Sequence, residues 1–211
     1  TPLYEVHRRE GGKIVDFAGW EMPVEYAGIR QEHLAVRTGV GLFDLSHMGE
    51  IEVRGTGATA FVNHLVTNDV GRLEAGQCLY TCMCGPDGGI LDDLLVYRFP
   101  DEAGGTPRYW LVVNASNREA VVEWMESHIP GDAAMKDLSL STALLAVQGP
   151  KAQAFLQPFT ETDLEQLGYY HLLEGEVAGI PAVISRTGYT GEDGFELYVP
   201  WNRAEELWNT L

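Results

Sequence analysis

The sequence has 211 residues, of which 31 are Asp or Glu and 14 are Lys or Arg, so the formal net charge is −17. This acidity argues against a nucleic-acid-binding protein and against a protein that docks on anionic membranes, because both need clustered basic residues. Hydrophobic residues make up 45% of the chain, which is enough to build a core and argues against disorder.

No apolar stretch approaches the length of about 18 residues that a membrane-spanning helix needs. The first residues lack the apolar core of a signal peptide, which predicts a cytoplasmic protein, or one of the mitochondrial matrix if the source is eukaryotic. Cys78, Cys82 and Cys84 do not have zinc-ligand spacing, and neither do the histidines. We therefore expect reduced thiols on a strand and no metal site.

Glycine and proline break the first fifty residues into loops, around one predicted helix over 29–38 that Gly39 ends. The pattern becomes regular from residue 50. The predicted elements are a strand at 50–54, a helix at 58–66, strands at 77–84, 90–99 and 108–113, and a helix from 117 to about 128. This order predicts an antiparallel sheet with two helices on one face, an α+β unit.

A second group of elements follows Gly131. It consists of a strand at 143–148, a short helix from Pro150 to 156, strands at 172–178, 180–186 and 194–199, and a last helix from about 202. This helix reaches Leu211 without a capping residue, which is typical of the front part of a longer protein.

Two carboxylates interrupt the apolar strand predicted at 90–99. Strand alternation places Asp92 and Asp93 on opposite faces. A buried carboxylate needs hydrogen-bond donors, a cation or a cleft. We interpret Asp92, which is nearer the glycine turn, as a structural residue that caps a turn or is bonded to backbone amides. For Asp93 the pattern leaves a structural and a functional role open.

The glycine-rich loop at 185–196 is a second candidate site. It can cradle a planar heterocycle, with Glu196 accepting paired N–H groups and Tyr189 offering a ring and a hydroxyl. A plain glycine-rich hairpin is the alternative interpretation. The loop matches neither the dinucleotide-binding pattern nor the P-loop.

A third candidate is the cluster of Asp44, Ser46 and His47. These residue types suggest a catalytic triad, but residues so close in sequence rarely reach triad geometry. We predict a turn before a strand, with His47 bonded locally or lining a cleft.

Six segments, spread along the chain, form a recognisable set when taken in order. They are VDFAGWEMP at 15–23, GLFDLSHMG at 41–49, TND at 67–69, GGILDDL at 88–94, QGPKA at 148–152 and the loop at 185–196. Together they resemble the aminomethyltransferase (T-protein) family of the glycine cleavage system. The resemblance implies an α+β, folate-binding aminomethyltransferase-like fold of antiparallel sheets with helices on one face. It further implies a first domain from 1–49 and 137–211, a second α+β domain from 50–136, and a C-terminal barrel domain outside this sequence.

The resemblance also implies an activity, which is tetrahydrofolate-dependent transfer of an aminomethyl group. The donor is the lipoyl arm of the lipoylated H-protein, the products are methylene-tetrahydrofolate and ammonia, and no metal takes part. The family's catalytic Asp corresponds to Asp93. Its folate contacts correspond to Tyr80, Asn114, Tyr189 and Glu196, with Met48 and Tyr170 as further candidates.

Two other classes remain open. Another folate-dependent demethylase or dehydrogenase domain of the same superfamily would share the pterin cradle and take its carbon from a different donor. A non-catalytic folate-binding iron–sulfur assembly factor carries a Lys-Gly-Cys-Tyr motif, whereas this sequence has Gln77-Cys78-Leu79-Tyr80.

Overall fold

The computed structural model describes residues 1–102 and 104–211. In chain order the elements are α1 Tyr4–Arg9, β1 Ile14–Phe17, β2 Trp20–Pro23, α2 Ile29–Thr38, β3 Gly41–Asp44, β4 Gly49–Arg54, α3 Ala58–Leu65, β5 Gln77–Cys84, β6 Ile90–Arg98, β7 Arg108–Val113, α4 Arg118–His128, β8 Ala134–Asp137, β9 Thr142–Gln148, α5 Ala152–Leu156, β10 Leu172–Val177, β11 Ile180–Ser185, β12 Gly194–Pro200 and α6 Ala204–Thr210. Among these residues no helix is long and apolar enough to cross a membrane.

The chain divides into two compact units, both of them α+β with antiparallel sheets. We call residues 1–47 together with 140–211 the outer unit, and residues 48–139 the inserted unit. The outer unit contains a hairpin of β1 and β2 and a five-stranded sheet in the order β10-β11-β12-β9-β3. The inserted unit contains a five-stranded sheet in the order β5-β6-β7-β4-β8.

The core of the outer unit lies on one face of its sheet, where α1, α5 and α6 pack. Strand β12 shows how alternation selects that face. Phe195, Leu197 and Val199 belong to this core, while Glu196 points to the opposite face. An acidic side chain on an otherwise apolar strand is thereby directed away from the helices.

The inserted unit is built in the same way. Helices α3 and α4 pack on one face of its sheet, with Phe61 and Met125 in the shared core. On β6, Leu94 and Val96 belong to that core, and Asp93 is exposed on the other face. The hairpin of β5 and β6 turns through residues 85–89, as its Gly-Pro-Asp-Gly sequence predicts.

Most predicted strands and helices from residue 29 onward are confirmed to within a few residues. The prediction of loops over the rest of the first fifty residues was wrong, because α1, β1, β2 and β3 form there. The short helix predicted from Pro150 to 156 is present as α5, but it begins at Ala152. Gly149 has a φ of +139°, which is not helical. The N–H of Lys151 donates to the carbonyl of Gly39, so Lys151 lies in a turn ahead of the helix and α5 begins at Ala152.

Candidate functional site

The structure brings three of the predicted site residues together on the inserted unit. Asp93 is exposed on β6, and the hydroxyl of Tyr80 donates a hydrogen bond to its Oδ2 at 2.7 Å. The side-chain amide of Asn114 donates to the carbonyl of Asp93 at 2.9 Å and lies 3.3 Å from its Oδ1. The carboxylate of Asp93 is therefore held at both oxygens.

Strand register explains this meeting. Cys82 on β5 pairs with Asp93 on β6, so Tyr80, two residues earlier, lies on the same face. On the other side of β6, Leu95 pairs with Val112 of β7, and extending that register by two residues places Asn114 beside Asp93. The three side chains come from adjacent strands of one sheet.

Asp92 points to the other face and is only 1% exposed. Its Oδ2 accepts from the backbone N–H of Asn114 at 2.9 Å. Its Oδ1 accepts from the side-chain amides of Asn114 at 2.9 Å and Asn117 at 2.6 Å. The interpretation of Asp92 as a buried residue bonded to a backbone amide is confirmed.

On the outer unit, Glu196 is 4% exposed, and the hydroxyl of Thr187 donates to its carboxylate. Ser185 pairs with Glu196 across β11 and β12. The phenol of Tyr189 is partly desolvated and lies near the negative charge of Glu196, and both effects raise the pKa of Tyr189. As a whole residue Tyr189 is nonetheless 78% exposed, so it offers an open surface near the buried carboxylate of Glu196.

A buried amide, that of Gln148, shapes the loop at 185–196. Its Nε2 donates to the carbonyl of Thr187 at 3.0 Å, and its Oε1 accepts from the hydroxyl of Thr190 at 2.9 Å. A Cβ at Gly188 or Gly194 would lie 2.4 Å from atoms of this amide. The glycines therefore allow the loop to close around Gln148. The sequence motif at 148–152 contained Gln148 but indicated no role for it.

Arg186 fixes the same loop from another direction. Its guanidinium donates to both carboxylate oxygens of Asp193, at 2.9 and 2.7 Å. It also donates to the carbonyls of Leu164 and Leu167, each at 3.0 Å, and to the side chain of Gln153 at 2.9 Å. Sequence reasoning missed this contact set because three of its four partner residues, Leu164, Leu167 and Gln153, lie outside the loop and 19 to 33 residues earlier in the chain.

The two remaining candidates lie in different units. Met48 is half-buried immediately before β4, in the inserted unit. Tyr170, in the outer unit, has a φ of +60°, and its N–H donates to the carbonyl of Arg186 at 3.0 Å. Their roles as folate contacts stay predictions.

The cluster around Asp44 does not form a triad. The histidine partner of Asp44 is His7, at 2.9 Å, and the hydroxyl of Tyr26 lies 2.6 Å from the other ring nitrogen of His7. His47 lies in the predicted turn, and its Nδ1 is buried without a hydrogen-bond partner among the described residues. Of the two predicted alternatives, a local bond is therefore not formed at this nitrogen, and the lining of a cleft stays a prediction. Burial lowers the pKa of His47, and the negative charge of Asp44 opposes this effect only in part.

The three cysteines are free thiols on β5, as the sequence predicted. In the part of the chain that the structure describes, no group of three or more His, Cys, Asp or Glu side chains is arranged to hold a metal ion. The groups around Asp93 and around Glu196 both combine a carboxylate with a tyrosine, Tyr80 in the first and Tyr189 in the second.

Curated relatives cover the whole of this chain. An aminomethyltransferase of Desulfitobacterium hafniense (strain DSM 10664 / DCB-2) is 50% identical, and the match spans 100% of this chain and 57% of the relative. An aminomethyltransferase of Alkaliphilus oremlandii (strain OhILAs) is 52% identical, with 100% and 56% covered. The chain thus spans just over half the length of these relatives.

Solved structures agree with this match. The glycine cleavage system aminomethyltransferase T of Bartonella henselae superposes with a TM-score of 0.89 at 37% identity, over 99% of this chain and 55% of that one. A heterotetrameric sarcosine oxidase of Corynebacterium sp. U-96 shares the fold alone, with a TM-score of 0.59 at 16% identity over 85% of this chain and 87% of that one. The model of the GCVT N-terminal domain matches residues 3–211, and the chain therefore belongs to that family.

Proposed function

We propose that this chain forms the folate-binding part of an aminomethyltransferase of the glycine cleavage system. The reaction transfers the methylene of an aminomethyl group from the lipoyl arm of H-protein to tetrahydrofolate and releases ammonia. The observation that carries the proposal is the exposed carboxylate of Asp93, fixed by Tyr80 and Asn114. Sequence identities of 50% and 52% to curated aminomethyltransferases support the proposal.

The residues present fit a folate. Its pterin ring is planar and has adjacent N–H groups, and the buried carboxylate of Glu196, which is held by Thr187, is suited to accept them. The exposed ring of Tyr189 is suited to stack on a flat heterocycle. When bound, tetrahydrofolate supplies the nitrogen that accepts the one-carbon unit.

Asp93 is the catalytic residue of this proposal. Positive charge develops on the transferred carbon as its bond to nitrogen or sulfur weakens, and a fixed carboxylate nearby stabilises that charge. Tyr80 and Asn114 hold the carboxylate in one orientation, so little reorganisation is needed when the charge appears. The same carboxylate can position a proton on the leaving amine.

The test of the activity uses the full-length protein that contains these residues. It is incubated with tetrahydrofolate and aminomethylated H-protein, and ammonia and methylene-tetrahydrofolate are measured. We expect both products in equal amounts and at a rate far above that of the uncatalysed reaction. Ammonia release at the uncatalysed rate would contradict the proposal.

The role of Asp93 is tested separately with Asp93→Asn, which keeps the shape of the side chain and removes its charge. We expect tetrahydrofolate binding within about threefold of the parent and a loss of turnover of about 100-fold or more. Asp87→Asn is the matched control, because Asp87 lies in the turn of the same hairpin, where an asparagine can still accept from the N–H of Gly89. Turnover of Asp93→Asn near that of the control would refute the assignment.

A further inference from the structure

The neighbour of the proposed catalytic residue has an unusual contact set. The carboxylate of Asp92 binds Asn114 twice, through the backbone N–H and through the side-chain amide, each at 2.9 Å. One buried carboxylate thereby fixes both the position of the Asn114 backbone and the rotation of its side chain. A third donor, the amide of Asn117 at 2.6 Å, completes the set and holds Asp92 itself in place.

The orientation of the Asn114 amide follows from its surroundings. Its Nδ2 lies within hydrogen-bond distance of Asp92 Oδ1, of the Asp93 carbonyl and of Asp93 Oδ1. A backbone carbonyl and ionised carboxylates are acceptors only, so the NH2 group rather than the amide oxygen must face them. One N–H is directed to Asp92, and the other is thereby directed to Asp93.

We propose that Asp92 is a positioning residue, which acts on the catalytic carboxylate of Asp93 through the side-chain amide of Asn114. This inference rests on the proposed function, since it assigns a role within the same site. Asp92 is buried on the core face of the sheet, and the site face carries Asp93. The link through Asn114 connects the two faces at the end of β7.

The substitution Asp92→Asn breaks the link without changing the size of the side chain. An asparagine has one acceptor oxygen where the aspartate has two, so it cannot serve both the backbone N–H of Asn114 and the two side-chain amides. If its NH2 group faces the side-chain amides, the amide of Asn114 must turn away or reverse. If its NH2 group faces the backbone N–H, the repulsion between the two donors displaces the backbone that carries the Asn114 side chain. In both cases the contact of Asn114 with Asp93 is disturbed.

The expected result in the full-length enzyme is a fall in kcat of about 10- to 100-fold, the size of effect that misplacing a catalytic group produces. A matched control is Glu52→Gln. Glu52 is also a buried carboxylate of the inserted unit, and it accepts from Arg54 at 2.7 Å and from Arg108 and Trp110 at 3.1 Å each. These partners differ from those of Asp92. The variant Glu52→Gln should lower the unfolding temperature as Asp92→Asn does, but its kcat should stay within about twofold of the parent value.

A double-mutant cycle with Asn114→Ala separates positioning from general weakening. If Asp92 acts through Asn114, Asn114→Ala lowers kcat by at least as much as Asp92→Asn, and the double variant loses no more than Asn114→Ala alone. The proposal would be overturned if the fold losses of kcat in the two single variants multiplied in the double variant. It would also be overturned if Asn114→Ala left kcat unchanged. Even if Asp92→Asn fails to fold, kcat of Asn114→Ala alone can overturn the proposal, because unchanged turnover would leave Asp92 no route to Asp93.

A crystal structure of Asp92→Asn gives a readout that does not depend on turnover. We expect the contacts of Asn114 with Asp93 to be lost or its amide to be reversed, and unchanged contacts would overturn the inference. A parent enzyme without aminomethyl transfer would instead contradict the proposed function, and the crystal structure would still decide whether Asp92 orients Asn114.

Discussion

Replacement of Arg186 by lysine measures how strongly the loop at 185–196 is held. The guanidinium makes five hydrogen bonds, to Asp193, to the carbonyls of Leu164 and Leu167, and to Gln153. The side chain is 17% exposed, so these bonds are partly shielded from water. A lysine keeps the charge, but its single nitrogen cannot reach acceptors on several sides and would keep at most about two bonds. At about 1 kcal/mol for each of the three bonds lost, Arg186→Lys should cost about 3 kcal/mol of unfolding free energy.

The assay is urea unfolding of the purified full-length protein at pH 7, followed by circular dichroism. The control is Arg9→Lys, since Arg9 is 56% exposed and pairs with Glu205 at the surface, where no measurable change is expected. Because the loop leads into β12, which carries Glu196, Arg186→Lys should also weaken tetrahydrofolate binding. A loss of unfolding free energy below about 1 kcal/mol would show that a lysine replaces the five hydrogen bonds of the guanidinium almost without cost, and it would refute this estimate.

Three further outcomes are expected. Gly194→Ala should lower the unfolding free energy by about 2 kcal/mol, because its Cβ would lie 2.4 Å from the side chain of Gln148. Gly131→Ala, which meets no atom within 4 Å, should have little effect, and equal melting temperatures of the two variants would contradict this. His7→Phe should cost about 3 kcal/mol in urea unfolding at pH 7, because it leaves the buried Asp44 without its imidazole partner, and a cost below about 1 kcal/mol would show that the pair is dispensable. Burial alone would raise the pKa of Asp44, but its hydrogen bonds outweigh burial and hold the pKa below its usual range. The ionised Asp44 therefore stabilises the fold fully above about pH 4, and this stabilisation is lost as the pH falls through the lowered pKa. Asp44→Asn should accordingly make the unfolding free energy fall less steeply as the pH is lowered below about 4. Equal slopes in the parent and the variant would exclude this contribution.

Much of the fold could be predicted because its signals are local. The hairpin of β5 and β6 follows from two alternating apolar segments around a Gly-Pro-Asp-Gly turn. The two faces of β6 follow from the period of a strand, which alone separates Asp92 from Asp93. Helix α2 follows from its glycine flanks, and the structure places it at Ile29–Thr38 as predicted.

The elements that the sequence did not indicate are short and depend on distant partners. Strand β3 has four residues and pairs with β9, about a hundred residues later in the chain. Strand β8 likewise has four residues and pairs with β4. Helix α1 is a six-residue helix, too short to be stable alone, and its buried His7 is held by Asp44. Local patterns carry no information about such pairings.

The sequence by itself indicated that this protein has antiparallel α+β architecture, that Asp92 and Asp93 lie on opposite faces of one strand, and that a shaped glycine-rich loop precedes Glu196. These are consequences of periodicity and turn chemistry, which neighbouring residues decide. Only the tertiary structure decided which atoms meet the carboxylates. Asn114 reaches Asp93 from 21 residues away, and the amide of Gln148 reaches Thr187 from 39 residues away. Such contacts depend on which strands become neighbours and in what register, and for strands that are distant along the chain this is decided only when the sheet assembles and buries one face.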